Sequence, residues 1–157
     1  MDPTFRQATP ADLEAVHALR RAFYQETNSA WDDAGGRRAL EQLLEQPEHG
    51  EVWILESLFG PLGFLVLTFG YSLEFLGRDA FIDELYLAPA VRGMGHGHAA
   101  IKLSQQIAQR HGVAAVHLEV TTETDAALSL YTRNGFVDHG RRLFTSWIAQ
   151  PPDRWPG

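Results

Sequence analysis

The sequence contains no cysteine in its 157 residues. Disulfides, thiol nucleophiles and thiolate metal sites are therefore excluded, and the composition suits a reducing compartment. No apolar run approaches the ~18 residues of a membrane span, so no membrane partner is expected. The opening stretch MDPTFRQATPADLEAV lacks the basic and apolar regions of a secretory signal, and a cytoplasmic location is the expectation. Basic excess is missing as well. The formal net charge is −7, which argues against nucleic acid as a partner and leaves room for a cationic one, such as an amine. There is no internal repeat, low-complexity tract or Pro/Ser-rich linker, so residues 1–157 read as one domain. Hydrophobic residues at 45% and charged residues at 21% are ordinary for a globular chain rather than a disordered one.

The segments that are present follow a clear order. Thr4 to Ala8 reads as a short first strand. Thr9-Pro10-Ala11-Asp12 is a helix start with Thr9 as N-cap, followed by Leu13, Val16, Leu19 and Phe23 at helical spacing. A second helix is expected from about Asp33 to Gln46, with Leu40, Leu43 and Leu44 on one face and a start weakened by Gly35-Gly36. Glu51–Glu56 and Leu62–Phe69 are β-rich runs joined by a turn containing Gly60-Pro61, the pattern of an antiparallel hairpin. A third strand covers Ala80 to Leu87. A helix carrying Ala99, Ile101, Leu103, Ile107 and Ala108 follows and is closed by Gly112. Val113 to Val120 is a further strand, and Thr124 to Arg133 is a short helix ended by Asn134-Gly135. One or two last strands are expected from Phe136 to about Gln150. There Leu143, Phe144, Trp147 and Ile148 would serve either a homodimer interface or the monomer's own core. The order places the chain in the α/β class with a mixed sheet.

The stretch from Phe81 to His98 is the most informative. A strand runs into Arg92-Gly93-Met94-Gly95-His96-Gly97, and a long helix starts at its end. Glycines allow close backbone approach to a ligand, and the free N–H groups and positive dipole end of a helix favour a phosphate. Arg92 adds a fixed positive charge. A Walker A loop would need Gly-Lys-Ser/Thr, and Gly97 is followed by His98-Ala99. The glycine spacing also differs from that of a dinucleotide-binding loop.

Arg92-x-x-Gly95-x-Gly97 resembles the Q/R-x-x-G-x-G/A pyrophosphate loop of the GNAT superfamily of N-acetyltransferases, including the preceding strand and Pro89 just upstream. Downstream, residues 118–136 resemble the same family's later motif, N-x-x-A-x-x-L-Y-x-x-x-G-F, through Ala127, Leu130, Tyr131, Gly135 and Phe136. Thr124 stands where the family usually has Asn. The resemblance covers about residues 80 to 136, the donor half, and matches the first 50 residues only in layout. It implies one domain with a mostly antiparallel sheet of about six to seven strands flanked by about four helices. It also implies acetyl-CoA as co-substrate, without a metal, and acetyl transfer to a primary amine of a small molecule or peptide. The implied cofactor-binding set is Leu85, Tyr86, Leu87, Arg92, Gly93, Met94, Gly95, His96, Gly97, His98, Thr124, Ala127 and Tyr131. The alternative function is a non-catalytic acyl-CoA sensor that keeps the donor loop.

Acyl transfer needs a neutral amine, an oxyanion donor and a proton for the departing thiolate. Neutralising a lysine-like amine at pH 7 costs roughly 4.6 kcal/mol, from its reference pKa of ~10.4. A carboxylate is the expected proton sink, and the resemblance to the family implies three candidates, Glu84 or Asp83 first and Glu119 next. Adjacent strand residues point to opposite faces, so Asp83 groups with Phe81, Leu85 and Leu87, and Glu84 with Ile82 and Tyr86, unless a bulge intervenes. Tyr131 is the candidate general acid, and a backbone N–H of Leu85 to Leu87 is the expected oxyanion donor. His96 and His98 lack a third ligand nearby in sequence and do not suggest a metal site. Tyr24 and Trp31, with Glu26, Asp32 and Asp33, are candidates for the acceptor pocket.

Overall fold

The computed structural model describes residues 2–120 and 124–156. Residues 121–123 of the second motif lie outside the described residues. β1 (Thr4–Gln7) leads into a 3₁₀ turn at Pro10–Asp12 and α1 (Leu13–Glu26). Asp12 accepts the Thr9 backbone N–H at 2.8 Å, completing the capping signal. It also accepts both terminal nitrogens of Arg6, whose guanidinium holds the carboxyl pKa down at about 2. α2 (Asp33–Glu45) begins at Asp32, whose side chain accepts the Gly35 N–H at 2.9 Å. The glycine pair therefore assists this start. A Cβ at Gly35 would collide with the capping carboxylate, and one at Gly36 would sit 3.3 Å from Arg20 Nη1.

β2 (Gly50–Ser57), β3 (Gly60–Ser72) and β4 (Gly77–Leu87) form an antiparallel meander with β1 on its outer edge. α3 (His96–Arg110) returns the chain to β5 (Ala115–His117), which pairs parallel to β4, and α4 (Asp125–Arg133) follows. The strand pleat separates two apolar faces. Phe64, Val66 and Tyr86 meet Leu13, Val16 and Leu40 of α1 and α2. Leu65, Leu67, Ala80 and Ile82 meet Ile101 and Ile107 of α3, with Leu130 and Tyr131 of α4 at the margin. Val16, Phe64, Leu65 and Ile101 have no exposed surface, so both faces are closed at their centres.

Two expectations need correction. Among the described residues the sheet has five strands in the order β1-β2-β3-β4-β5, not six or seven, and none of the expected strands after Phe136 forms. Local hydrogen bonding gives the reason. The Asp138 side chain accepts the Gly140 N–H at 2.7 Å, a turn that stops any run from Phe136, and Arg141 is drawn to Glu74 in the β3–β4 turn. Leu143, Phe144 and Ile148 are consequently exposed and serve no core of the single chain, while Trp147 packs edge-on against Trp155. β5 is also shorter than Val113 to Val120. It pairs with Asp79–Phe81 alone, so the two strands part beyond Phe81.

Candidate active site

The parting of β4 from β5 exposes one edge of β4 in the middle of the sheet. Ala88 N–H bonds Leu62 C=O at 2.8 Å, and antiparallel alternation therefore turns the backbone groups of Leu85 and Leu87 toward the opposite, β5-side edge. Leu87 C=O on that edge accepts Arg92 Nε at 2.9 Å. The Leu85 and Leu87 N–H groups thus face a cleft that no strand fills among the described residues. Tyr86, between them, points into the α1 face and is 8% exposed.

The chain leaves this edge through a 3₁₀ turn at Pro89–Val91 and enters the glycine loop. Gly93 (φ 73°) and Gly95 (φ 87°) adopt the left-handed conformation that side chains resist, and nothing lies within 4 Å of where a Cβ would stand. The constraint is conformational, and the space in front of the loop is open. Gly95 caps α3, and the first helical bond runs from Ala99 N–H to Gly95 C=O at 3.0 Å. The N–H groups of His96, Gly97 and His98 precede that bond and form the positive end of a 15-residue helix. Met94 is exposed at the loop tip. Arg92 is already engaged: Nη1 and Nη2 each reach a Glu26 carboxylate oxygen at 2.6 Å, anchoring the loop to the end of α1. That pairing lowers the Glu26 pKa, its first cause being the hydrogen bond from Arg92.

The acidic pair lies on a bulge. Glu84 stands opposite Val66 and Ile82 opposite Leu67, so Asp83 is the extra residue with no partner in β3. The bulge overturns the simple alternation. Ile82 joins Leu65 and Leu67 on the α3 face, while Glu84 shares the α1 face with Tyr86. Asp83 and Glu84 now line one small cavity of about 90 Å³, with Arg20, Leu40, Leu43 and Val66.

Their surroundings differ. Glu84 is 8% exposed and receives Arg20 Nε at 2.7 Å, Arg20 Nη2 at 2.8 Å and the Tyr24 hydroxyl at 2.6 Å. Asp83 keeps solvent contact and has no hydrogen-bond partner among the described residues. Crowding by protein raises its pKa, the Glu84 and Glu119 charges add to this, and Arg20 opposes them. Glu119 itself is exposed beyond β5. Tyr131 is half-buried on α4 beside Phe136, with ring centres 6.2 Å apart. Burial raises its pKa, and its hydroxyl has no partner among the described residues. Thr124 caps α4 by accepting the Ala127 N–H at 3.2 Å. A groove of about 510 Å³ between α3, β5 and residues 135–139 contains none of these side chains.

The acetyltransferase (GNAT) family model matches residues 13–136. The chain belongs to that family. Among its relatives, an uncharacterized N-acetyltransferase of Bacillus subtilis is 26% identical over 133 residues, spanning 85% of this chain and 89% of the relative. The streptothricin acetyltransferase of Streptomyces lavendulae is 25% identical over 152 residues, 85% and 80% of the two chains. An integron cassette protein from a salt-marsh mobile metagenome superposes with a TM-score of 0.83 at 32% identity, covering 94% and 92%. A Clostridium acetobutylicum structure described as a predicted acetyltransferase with acetyl-CoA shares the fold, with a TM-score of 0.78 at 17% identity over 92% and 96%.

For this GNAT chain, the aromatic and acidic residues after α1 are largely committed to the scaffold. Asp32 caps α2, and Asp33 pairs with Arg21 and His17. Trp31 stacks on His17 at 5.1 Å and covers Arg20 at 5.7 Å. The residue the sequence reading missed is Arg20. Leu13, Val16, Arg20 and Phe23 share one helical face at spacings of three and four. A charge on an apolar face requires a buried acid opposite it, and that was the available signal.

Proposed function

We propose that the protein transfers the acetyl group of acetyl-CoA to a primary amine by direct attack in a ternary complex. The observation that carries this is the open β4 edge running straight into the glycine loop, with an unpaired carboxylate on the bulge beside it. The residues fit the co-substrate: the N–H groups of Gly93 to His98 would take the pyrophosphate, and those of Leu85 and Leu87 would face the pantetheine arm and the thioester. Thr124 and Ala127, at the start of α4, would border the same arm.

In this reading the ammonium gives a proton to Asp83, directly or through water. The neutral nitrogen attacks the thioester carbonyl, an N–H of β4 stabilises the oxyanion, and the C–S bond breaks as the amide forms. The nitrogen releases its second proton to solvent as the amide forms, while Tyr131 gives its proton to the departing thiolate and is reprotonated from solvent. Its raised pKa keeps it protonated at neutral pH, as an acid requires. Asp83 suits the base because it is exposed and has no hydrogen-bond partner among the described residues, whereas its buried neighbour Glu84 is paired with Arg20. Glu119 contributes a second negative charge near it. A cleft with this balance, in a chain of net charge −7, favours acceptors that bring positive charge, either small molecules or peptides.

The test is release of free CoA from acetyl-CoA against a panel of mono- and polycationic amines and peptides, beside Tyr131→Phe and isothermal titration with acetyl-CoA. The expected outcome is turnover with cationic amines that falls at least about a hundredfold in Tyr131→Phe, with acetyl-CoA binding retained. Binding without turnover across the panel would favour the sensor reading. Failure to bind CoA would sink both.

A further inference from the structure

The cluster beneath the bulge does more than fill space. Arg20 comes from α1, Glu84 from β4 and the Gly36 carbonyl from α2, so three elements meet on one guanidinium. Its Nε and Nη2 hold the two Glu84 oxygens at 2.7 and 2.8 Å, and Nη1 reaches Gly36 C=O at 3.2 Å. Tyr24 donates to Glu84 Oε1 at 2.6 Å, and burial followed by the Glu84 charge pushes its pKa up to about 12, so it remains a donor. The Tyr24 and Trp31 rings lie 5.4 and 5.7 Å from the guanidinium carbon. Glu84 thus accepts three hydrogen bonds while almost wholly buried. A proton acceptor must be free to take and release a proton, and this carboxylate is held by a permanent cation.

We infer that Arg20, Glu84 and Tyr24 are a positioning unit for the neighbouring Asp83: they pin the β4 bulge to α1, present the Asp83 carboxylate to the cleft and set the charge around it. The inference rests on the proposed role of Asp83 as base. Two geometric facts carry it. The bulge puts Asp83 and Glu84 in the same cavity, where regular pleating would separate them. The ion pair grips the residue next to the bulge, so the strand cannot slip back into register without breaking it.

The charged groups acting on Asp83 come from three elements: Glu84 on β4, Arg20 on α1 and Glu119 beyond β5. Glu84 and Glu119 raise its pKa and Arg20 lowers it, with the Glu84 effect larger than that of Arg20. A base must be deprotonated, so turnover falls as pH drops through this pKa. Removing the Glu84 charge moves the acid limb of the rate profile to lower pH. Removing both charges takes away one effect of each sign, so the limb moves less than with Glu84 alone neutralised.

The experiment measures kcat/KM for CoA release against pH, and acetyl-CoA affinity by titration, in the wild type and three variants. These are Asp83→Asn, Glu84→Gln and the neutral pair Arg20→Gln/Glu84→Gln, which leaves no buried charge unpaired should Glu84→Gln alone fail to fold. Asp83→Asn is expected to lose turnover at least about a hundredfold while binding acetyl-CoA. The neutral pair is expected to lose about tenfold in kcat/KM while still binding acetyl-CoA, and to keep an acid limb, because Asp83 remains the proton acceptor. A neutral pair with the rate of wild type would overturn the positioning role, and one that binds acetyl-CoA yet is as inactive as Asp83→Asn would make Glu84 part of the chemistry. An active Asp83→Asn would overturn the base assignment itself, and the two failures are distinguished by that one variant.

Discussion

Replacing Arg20 by Met should cost the protein a large share of its stability. The Arg20 side chain is 13% exposed and that of Glu84 is 8%, so neither has water to fall back on. Breaking a buried pair by removing one partner costs about 3–5 kcal/mol, because the remaining charge is left uncompensated. A domain of this size loses roughly 2–4 °C in Tm per kcal/mol, which predicts a fall of about 6–20 °C. The Gly36 carbonyl loses a donor and Trp31 loses the cation it covers, so the true value should not lie below this range. Thermal denaturation followed by circular dichroism, with urea titration at 25 °C, measures both quantities. The control is Arg20→Met/Glu84→Leu: replacing both partners by apolar groups of similar volume is commonly neutral, so most of the loss should return. A loss under about 1 kcal/mol in the single variant, the range of solvent-exposed pairs, would refute the reasoning by showing that water reaches the cluster.

Glu26→Gln should tighten acetyl-CoA binding by up to about fivefold at low salt, since it frees Arg92 from an exposed pair worth at most about 1 kcal/mol. Titration at high salt should bring the two proteins together, and weaker binding in the variant would show that Glu26 aims Arg92 rather than competing for it. Asp83→Asn should be more stable than wild type at neutral pH. The raised pKa means the folded state holds this proton more tightly than the unfolded chain, so Asp83 penalises folding above its folded pKa and not below its unfolded one. The gain should therefore vanish as pH falls through that window in urea titrations, and a pH-independent difference would contradict it. Gly35→Ala should not deliver the roughly 1 kcal/mol that helix propensity alone promises, because the added Cβ displaces the Asp32 cap, itself worth about 0.5–2 kcal/mol. A full gain in urea denaturation would show that the cap does not form.

Much of this protein is written in short-range chemistry. Thr9-Pro10 with Asp12, Thr124, Gly112 and Gly135 mark helix ends that depend on neighbours within four residues, and the structure has those ends. The strand–glycine loop–helix unit is equally local, because a left-handed turn followed by a helix N-terminus needs only its own residues to specify it. The family was legible for the same reason. Tertiary structure alone decided the bulge at Asp83, since strand register is set by the partner strand and a one-residue slip exchanges the faces. It decided the partnership of Arg20 with Glu84 across 64 residues of sequence, and the separation of β4 from β5 that opens the cleft. The end of the sheet at β5, among the described residues, has causes of both kinds: the Asp138–Gly140 turn is local, and the pairing of Arg141 with Glu74 is not. Local chemistry sets the elements, and the pairing of distant residues determines which of two adjacent carboxylates is left free beside the cleft.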